Sequence, residues 1–222
     1  MASVVDIWRY PVKSMAGERM QQCAITEKGL EGDRRWAFID RSPNRDGKFL
    51  TIRQHEDLLR YRSRIVDGAV EVEARGGSLM TMDESLLDRL RSETSRPLEL
   101  RDDAGANYDD SQVLIINLAS IELLGREAGT TLDRRRFRAN LYVDGLEPEE
   151  ELAWLGQTIS AGDARLEVVK RDERCVVITR DPETTVATPE LLRLLAERHD
   201  QCMGVYCRVV KPGRVRVGDV VG

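Results

Sequence analysis

Arg165-Leu166-Glu167-Val168-Val169-Lys170-Arg171-Asp172-Glu173-Arg174-Cys175-Val176-Val177-Ile178-Thr179 is the stretch that decides how this chain is read. Residues 165–170 are strand-like, and so are residues 176–179. Arg174-Cys175 therefore falls where the chain leaves one strand and enters a turn. A thiol beside a guanidinium is placed to act as a thiolate, the form that attacks electrophiles or binds soft metals. The competing reading is a small buried hydrophobe, the usual fate of a free cysteine. The local sequence leaves both open, and the rest of the chain has to weigh them.

Outward from this stretch the pattern of short strands continues. Toward the C-terminus, Pro189 opens a helix over 190–198, and strands follow at 205–210 and 215–217. Toward the N-terminus, residues 140–143 and 113–116 read as strands. Asn117 caps a helix running to about Glu127, which ends before Gly129. A polar stretch, 101–110, marks a boundary and predicts two parts, 1–104 and 105–222. In the first part strands are expected at 4–8, 34–39 and 98–100. Asp67-Gly68 signals a hairpin. Short helices fit 56–60 and 83–91, with Leu86, Leu87 and Leu90 forming a core-facing stripe. Many short strands with few helices predict an α+β, predominantly β protein: a β-barrel with peripheral helices and an N-terminal β-rich subdomain.

Composition narrows the functions. With 222 residues, 41% hydrophobic and 33% charged, the chain can bury a core without staples. No apolar run approaches the ~18 residues of a membrane span. The N-terminus predicts no secretory signal, so a cytoplasmic location with reduced thiols is expected. A net charge of -5 argues against nucleic acid as a partner. Cys23, Cys175, Cys202 and Cys207 form no C-x-x-C pair and match no zinc or iron–sulfur spacing. His55 and His199 are the only histidines, which argues against histidine-rich metal sites and a Ser-His-Asp hydrolase. His199, in Glu197-Arg198-His199-Asp200, reads as a solvated face residue, and so does the run Arg134-Arg135-Arg136. Cys207 alternates with Val205 and Val209 and reads as core.

The basic residues are nearly all arginine, the residue suited to phosphate recognition. Several strand-end segments could hold an anion. These are Tyr10-Pro11-Val12-Lys13-Ser14, Gly32-Asp33-Arg34-Arg35-Trp36, Asp109-Asp110-Ser111 and Phe137-Arg138-Ala139-Asn140. Each alone also fits a surface turn. With Arg174-Cys175, Asp181-Pro182 and the closing Val217-Gly218-Asp219, they resemble the MOSC family, named after the C-terminal domain of molybdenum cofactor sulfurase. The pattern is most similar to the amidoxime-reducing members. The resemblance spans nearly the whole chain, an N-terminal β-barrel region followed by the MOSC domain itself.

That resemblance implies a molybdenum cofactor, a pterin carrying a dithiolene and a phosphate. It makes Cys175 the protein thiolate on molybdenum, a soft ligand for a metal whose dithiolene already supplies two sulfurs. Lys13, Ser14, Arg34, Ser111, Arg138, Asn140 and Arg174 would hold the pterin and its phosphate. Asp109 would relay a proton, although a turn acceptor is an equal reading of it. Ala139 and Gln112 stand where the family often has proline, and neither change removes a ligand-binding side chain. The implied activity is reduction of small N-hydroxylated compounds. Electrons would come from a separate cytochrome, ferredoxin or flavoprotein reductase, since no redox-cofactor motif and no added [2Fe–2S] or pyridoxal-phosphate domain is expected here. Two other readings remain: a sulfur or cofactor carrier using a Cys175 persulfide, and a non-catalytic barrel that binds a phosphate ligand.

Overall fold

The computed structural model describes residues 1–105 and 107–222. Two compact units form, and neither is contiguous in sequence. One comprises Met1–Trp8, Arg19–Glu31 and Asp109–Gly222; the other comprises Arg9–Glu18 and Gly32–Tyr108. No helix among the described residues is long and apolar enough to cross a membrane.

The first unit is built on seven strands: β1 (Ala2–Arg9), β2 (Val113–Asn117), β3 (Leu141–Asp144), β4 (Thr158–Ala161), β5 (Ala164–Glu173), β6 (Cys202–Lys211) and β7 (Val220–Val221). Their pairing runs β3-β2-β6-β5-β4-β7-β1, and β1 pairs back onto β3, which closes the ring. A closed ring leaves no unpaired edge among these strands. Side chains on a strand alternate faces. Ile7, Val113, Ile115, Leu141, Val143, Ile159, Leu166, Val168, Val205, Cys207 and Val221 accordingly form the barrel interior. Their neighbours Leu114, Ile116, Tyr142 and Met203 point outward into a second apolar layer with Ile121, Leu124, Phe137, Ile178 and Leu195. Both faces of β2 are therefore buried, which explains why its sequence is an unbroken apolar run rather than an alternating one.

Of the three α-helices among the described residues, α1 (Glu84–Thr94) lies in the second unit, while α2 (Leu118–Glu127) and α3 (Glu190–Arg198) supply that outer layer of the first. The cap on α2 is the expected one: Asn117 accepts a hydrogen bond from the Ala119 amide and donates to the Glu147 carbonyl. Strands β2 and β3 run parallel, as the intervening helical crossover requires. The second unit holds two three-stranded sheets. One orders Leu98–Asp102, Trp36–Asp40 and Lys48–Phe49; the other orders Arg62–Val66, Ala69–Glu73 and Leu79–Thr81. Asp67 and Gly68 turn the expected hairpin, both with positive φ (49° and 82°). Leu86, Leu87 and Leu90 of α1 are buried as the stripe predicted.

Two expectations are corrected. Residues Val176–Thr179 form a 3₁₀ helix, not a strand. The Ile178 amide donates to the Cys175 carbonyl and the Arg180 amide to the Val177 carbonyl, so the backbone is satisfied locally and takes no sheet partner. His199 is buried rather than solvated. Carboxylates meet both of its ring nitrogens, and so a polar-looking helix end folds inward.

Candidate functional site

Cys175 follows the end of β5 and caps the 3₁₀ helix Val176–Thr179. It is half-buried, as is Cys202, whereas Cys23 and Cys207 are buried. Burial pushes the Cys207 thiol well up, and that residue packs in the barrel interior as its alternation predicted. Burial also raises Cys202.

The approach to Cys175 is irregular by construction. The β5–β6 register slips between Val168 and Lys170 and again between Arg171 and Glu173. Bulges of this kind bend a strand and re-aim its side chains. On β6, Gly204 takes φ of 82°, and a Cβ there would meet the Ile115 carbonyl oxygen at 2.7 Å. Only glycine lets β2 and β6 approach this closely here.

Arg174 is buried and heavily engaged. Its Nε donates to the Met203 carbonyl at 2.8 Å and its Nη1 to the Phe137 carbonyl at 2.9 Å. The guanidinium also stacks over the Phe137 ring, 5.3 Å from its centroid. Phe137 immediately precedes Arg138, so Arg174 ties the Cys175 segment to the Arg138 segment. Asp172 pairs with Arg174 at 2.9 Å, yet off the hydrogen-bonding axis: Asp172 Oδ2 and Arg174 Nη2 are both buried without a hydrogen-bond partner. Burial raises the Asp172 carboxyl to about 6, with Asp110 and Asp109 adding like charge and Arg174 opposing. Asp172 is a residue that sequence reasoning missed. The signal was its spacing: Asp172, near the end of β5, stands two residues before Arg174, and both side chains are buried.

The other residues of this unit divide by role. Asn140 is fully buried and knits three strands: its amide group accepts from the Leu114 amide at 3.1 Å and donates to the Trp8 carbonyl at 3.2 Å. Ser111 donates to the Cys207 carbonyl at 2.9 Å. Asp109 is exposed, and Arg138 is half-buried.

The second unit gathers Lys13, Ser14 and Arg34. The Arg34 amide donates to the Tyr10 carbonyl, the Trp36 amide to Pro11 and the Lys13 amide to Trp36, so the two motifs run side by side. Lys13 is buried; its Nζ donates to the Asn107 carbonyl at 2.7 Å and lies 4.8 Å from the Phe49 ring centroid. Arg34 pairs with Asp33 and stacks over Tyr10 and Tyr108. Ser14, Arg34 and Arg138 all hold left-handed backbone, with φ of 70°, 47° and 54°. Such strain in non-glycine residues concentrates at functional sites.

The donor set has a definite chemistry. Among the described residues no group of three or more His, Cys, Asp or Glu could hold a metal ion. Within the first unit, the half-buried Cys175 thiol and the orphaned Arg174 Nη2 suit an anionic group that brings its own metal ligands.

A closed barrel, a strand-end cysteine and arginine-rich loops define a class, and the comparisons agree. Residues 102–222 match the family model of the MOSC domain, and residues 1–116 match that of the MOSC N-terminal beta barrel domain. The chain belongs to the MOSC family. It is 27% identical to the molybdenum cofactor sulfurase of Caenorhabditis elegans over 93% of its own length. It spans only 33% of that relative. It is 25% identical to the mitochondrial amidoxime-reducing component 1 of Homo sapiens, covering 100% of this chain and 82% of the relative. The crystal structure of the YuaD protein from Bacillus subtilis shares the fold, with a TM-score of 0.52 at 14% identity, covering 100% of this chain and 94% of that one.

Proposed function

We propose that this protein binds a molybdenum cofactor through Cys175 and reduces small N-hydroxylated compounds, with electrons from a separate donor protein. The observation that carries this reading is the Arg174 clamp, which joins the half-buried Cys175 segment to the left-handed Arg138. The likeness to an amidoxime-reducing component over the whole chain supports it.

When bound, the cofactor supplies the two-electron chemistry that removes oxygen from an N–OH group. The chain's residues do the rest. Cys175 offers the thiolate. Arg138, Lys13, Ser14 and Arg34 are proposed to hold the pterin and phosphate. Ser111 and Asn140 hydrogen-bond backbone groups of the barrel strands and are proposed to shape the site. Arg174 contributes by fixing geometry and through its open Nη2. Reduction of N–OH consumes two electrons and two protons and releases water. Asp109, exposed in the loop before β2, is proposed to deliver a proton.

The match to a molybdenum cofactor sulfurase favours one alternative, a carrier that holds sulfur on Cys175. Turnover separates the two. Cofactor-loaded protein with a chemical reductant is expected to convert an amidoxime to its amidine, measured by chromatography. Asp109→Asn should lower kcat by about 100-fold, within the range for general acid loss. Loaded protein with no turnover of any N-hydroxylated compound would overturn the reductase reading.

A further inference from the structure

The turn that joins α3 to β6 is built around a buried histidine. His199 follows α3, and its amide donates to the Leu195 carbonyl at 2.9 Å. Its Nδ1 lies 2.5 Å from Glu149 Oε1 and its Nε2 lies 2.7 Å from Glu127 Oε2. A neutral imidazole can donate from only one nitrogen, so two carboxylate partners call for the imidazolium. Burial works against that charge, but the hydrogen bonds that His199 donates to Glu127 and Glu149 together outweigh it and hold His199 above its ordinary value.

The next two residues leave ordinary backbone. Asp200 and Gln201 both sit in the left-handed region, with φ of 49° and 58°. Non-glycine residues in that conformation persist only where surrounding structure imposes it. The Gln201 amide donates back to the Leu195 carbonyl, and the Cys202 amide to the His199 carbonyl, which completes the turn. The strained Gln201 then grips Arg174 from both sides of its backbone. The Arg174 amide donates to the Gln201 carbonyl at 2.8 Å, and Gln201 Nε2 donates to the Arg174 carbonyl at 2.8 Å. That carbonyl is the one bonded to the Cys175 nitrogen.

We propose that His199 is a positioning residue for Cys175, acting through the strained turn at Gln201. The doubly bonded imidazolium anchors the turn to α2 and to the Glu149 loop. The anchored turn in turn holds the backbone of Arg174, and with it the direction of the thiol. The inference deepens the proposed function and rests on its assignment of Cys175. The titratable and charged groups around His199 are Glu127 with its partner Arg198, Glu149 with its neighbours Glu150 and Glu151, and Asp200. Burial raises the Glu151 carboxyl, while the His199 hydrogen bond lowers that of Glu127; the imidazole is the side chain whose ordinary range lies closest to neutrality.

The sign follows from the raised value. The clamp is complete below the ordinary imidazole range and is lost as pH rises through the higher folded value. The test is amide exchange of Arg174 by NMR from about pH 5 to about pH 9, spanning histidine ionisation. Iodoacetamide labelling of Cys175, mapped by mass spectrometry and corrected for thiolate fraction, is measured on the same metal-free samples. Wild type should lose about tenfold in Arg174 protection through the histidine step, a local opening of modest free energy. Cys175 labelling should rise through the same step. His199→Gln should show the low protection at every pH. Glu149→Gln, at a partly exposed position, keeps the fold and moves the step to lower pH. A wild-type profile without a step, a His199→Gln profile that keeps it, or a step at Arg174 with flat Cys175 labelling would each overturn the proposal. None of these readouts involves molybdenum, so metal content judges the Cys175 assignment separately.

Discussion

Arg174 shows how much one side chain can organise. Its guanidinium spans two carbonyls and one carboxylate. A lysine ammonium has no planar fork and cannot serve Met203 and Phe137 together. Arg174→Lys is therefore expected to cost about 3 kcal/mol, as breaking a buried pair does, read by urea denaturation, and to speed alkylation of Cys175. Asp172 gives a pH signature. Its carboxyl is raised to about 6 from an ordinary 3.8. The folded state thus holds a proton that the unfolded state releases. Its contribution to stability is complete below the ordinary value and is lost as pH rises through about 6. Asp172→Asn should flatten the stability profile over that window, and an unchanged slope would remove Asp172 as its source. That Arg174-Cys175 stands where a strand gives way to a turn was legible in the sequence, but the direction of the guanidinium was not. Adjacency suggested a charge aimed at the thiol. The fold instead turns the arginine toward carbonyls contributed from residues 137 and 203, which no local pattern reveals.

At the scale of elements, most helices and strands followed from periodicity and caps. Asn117 before α2 and Leu86, Leu87 and Leu90 in α1 behave as read. The 3₁₀ helix Val176–Thr179 did not, for a physical reason. A short apolar run suits a buried strand or a tight helical turn equally. What separates them is whether sheet partners exist. Here Val176 is 46% exposed while Ile178 is 3% exposed and packs in the outer apolar layer. Ile178 is thus the anchor of the turn that carries Cys175. Ile178→Ala should lose about 2–4 kcal/mol, the range for truncating a buried branched side chain. Val176→Ala should cost far less. Thermal melts of the two variants, compared at equal pH, check the difference. His199 failed for a related reason. Its neighbours in sequence are charged, but its partners Glu127 and Glu149 come from elsewhere in the fold.

For the whole molecule, the β-rich class and the barrel were readable, while the strand pairs that close the barrel were not. The ring closes because β1 pairs with β3, more than a hundred residues on, and with β7 at the other end of the chain. Such pairings are set by the global burial of one face. The family likeness rested on several weak motifs whose order and number carried it. The structure runs the Lys13-Ser14 and Arg34 segments side by side in one unit, and in the other Arg174 links the segment of Cys175 to that of Phe137 and Arg138. The central claim is that Cys175 is the protein ligand of a bound molybdenum cofactor. Its most direct test is molybdenum content by elemental analysis of wild type and Cys175→Ala, both made in a host that synthesises the cofactor. The account predicts about one molybdenum per wild-type chain and at least a fivefold loss in a folded Cys175→Ala, as expected when a soft ligand is removed. Wild type without molybdenum, or a variant that retains it in full, would contradict the claim.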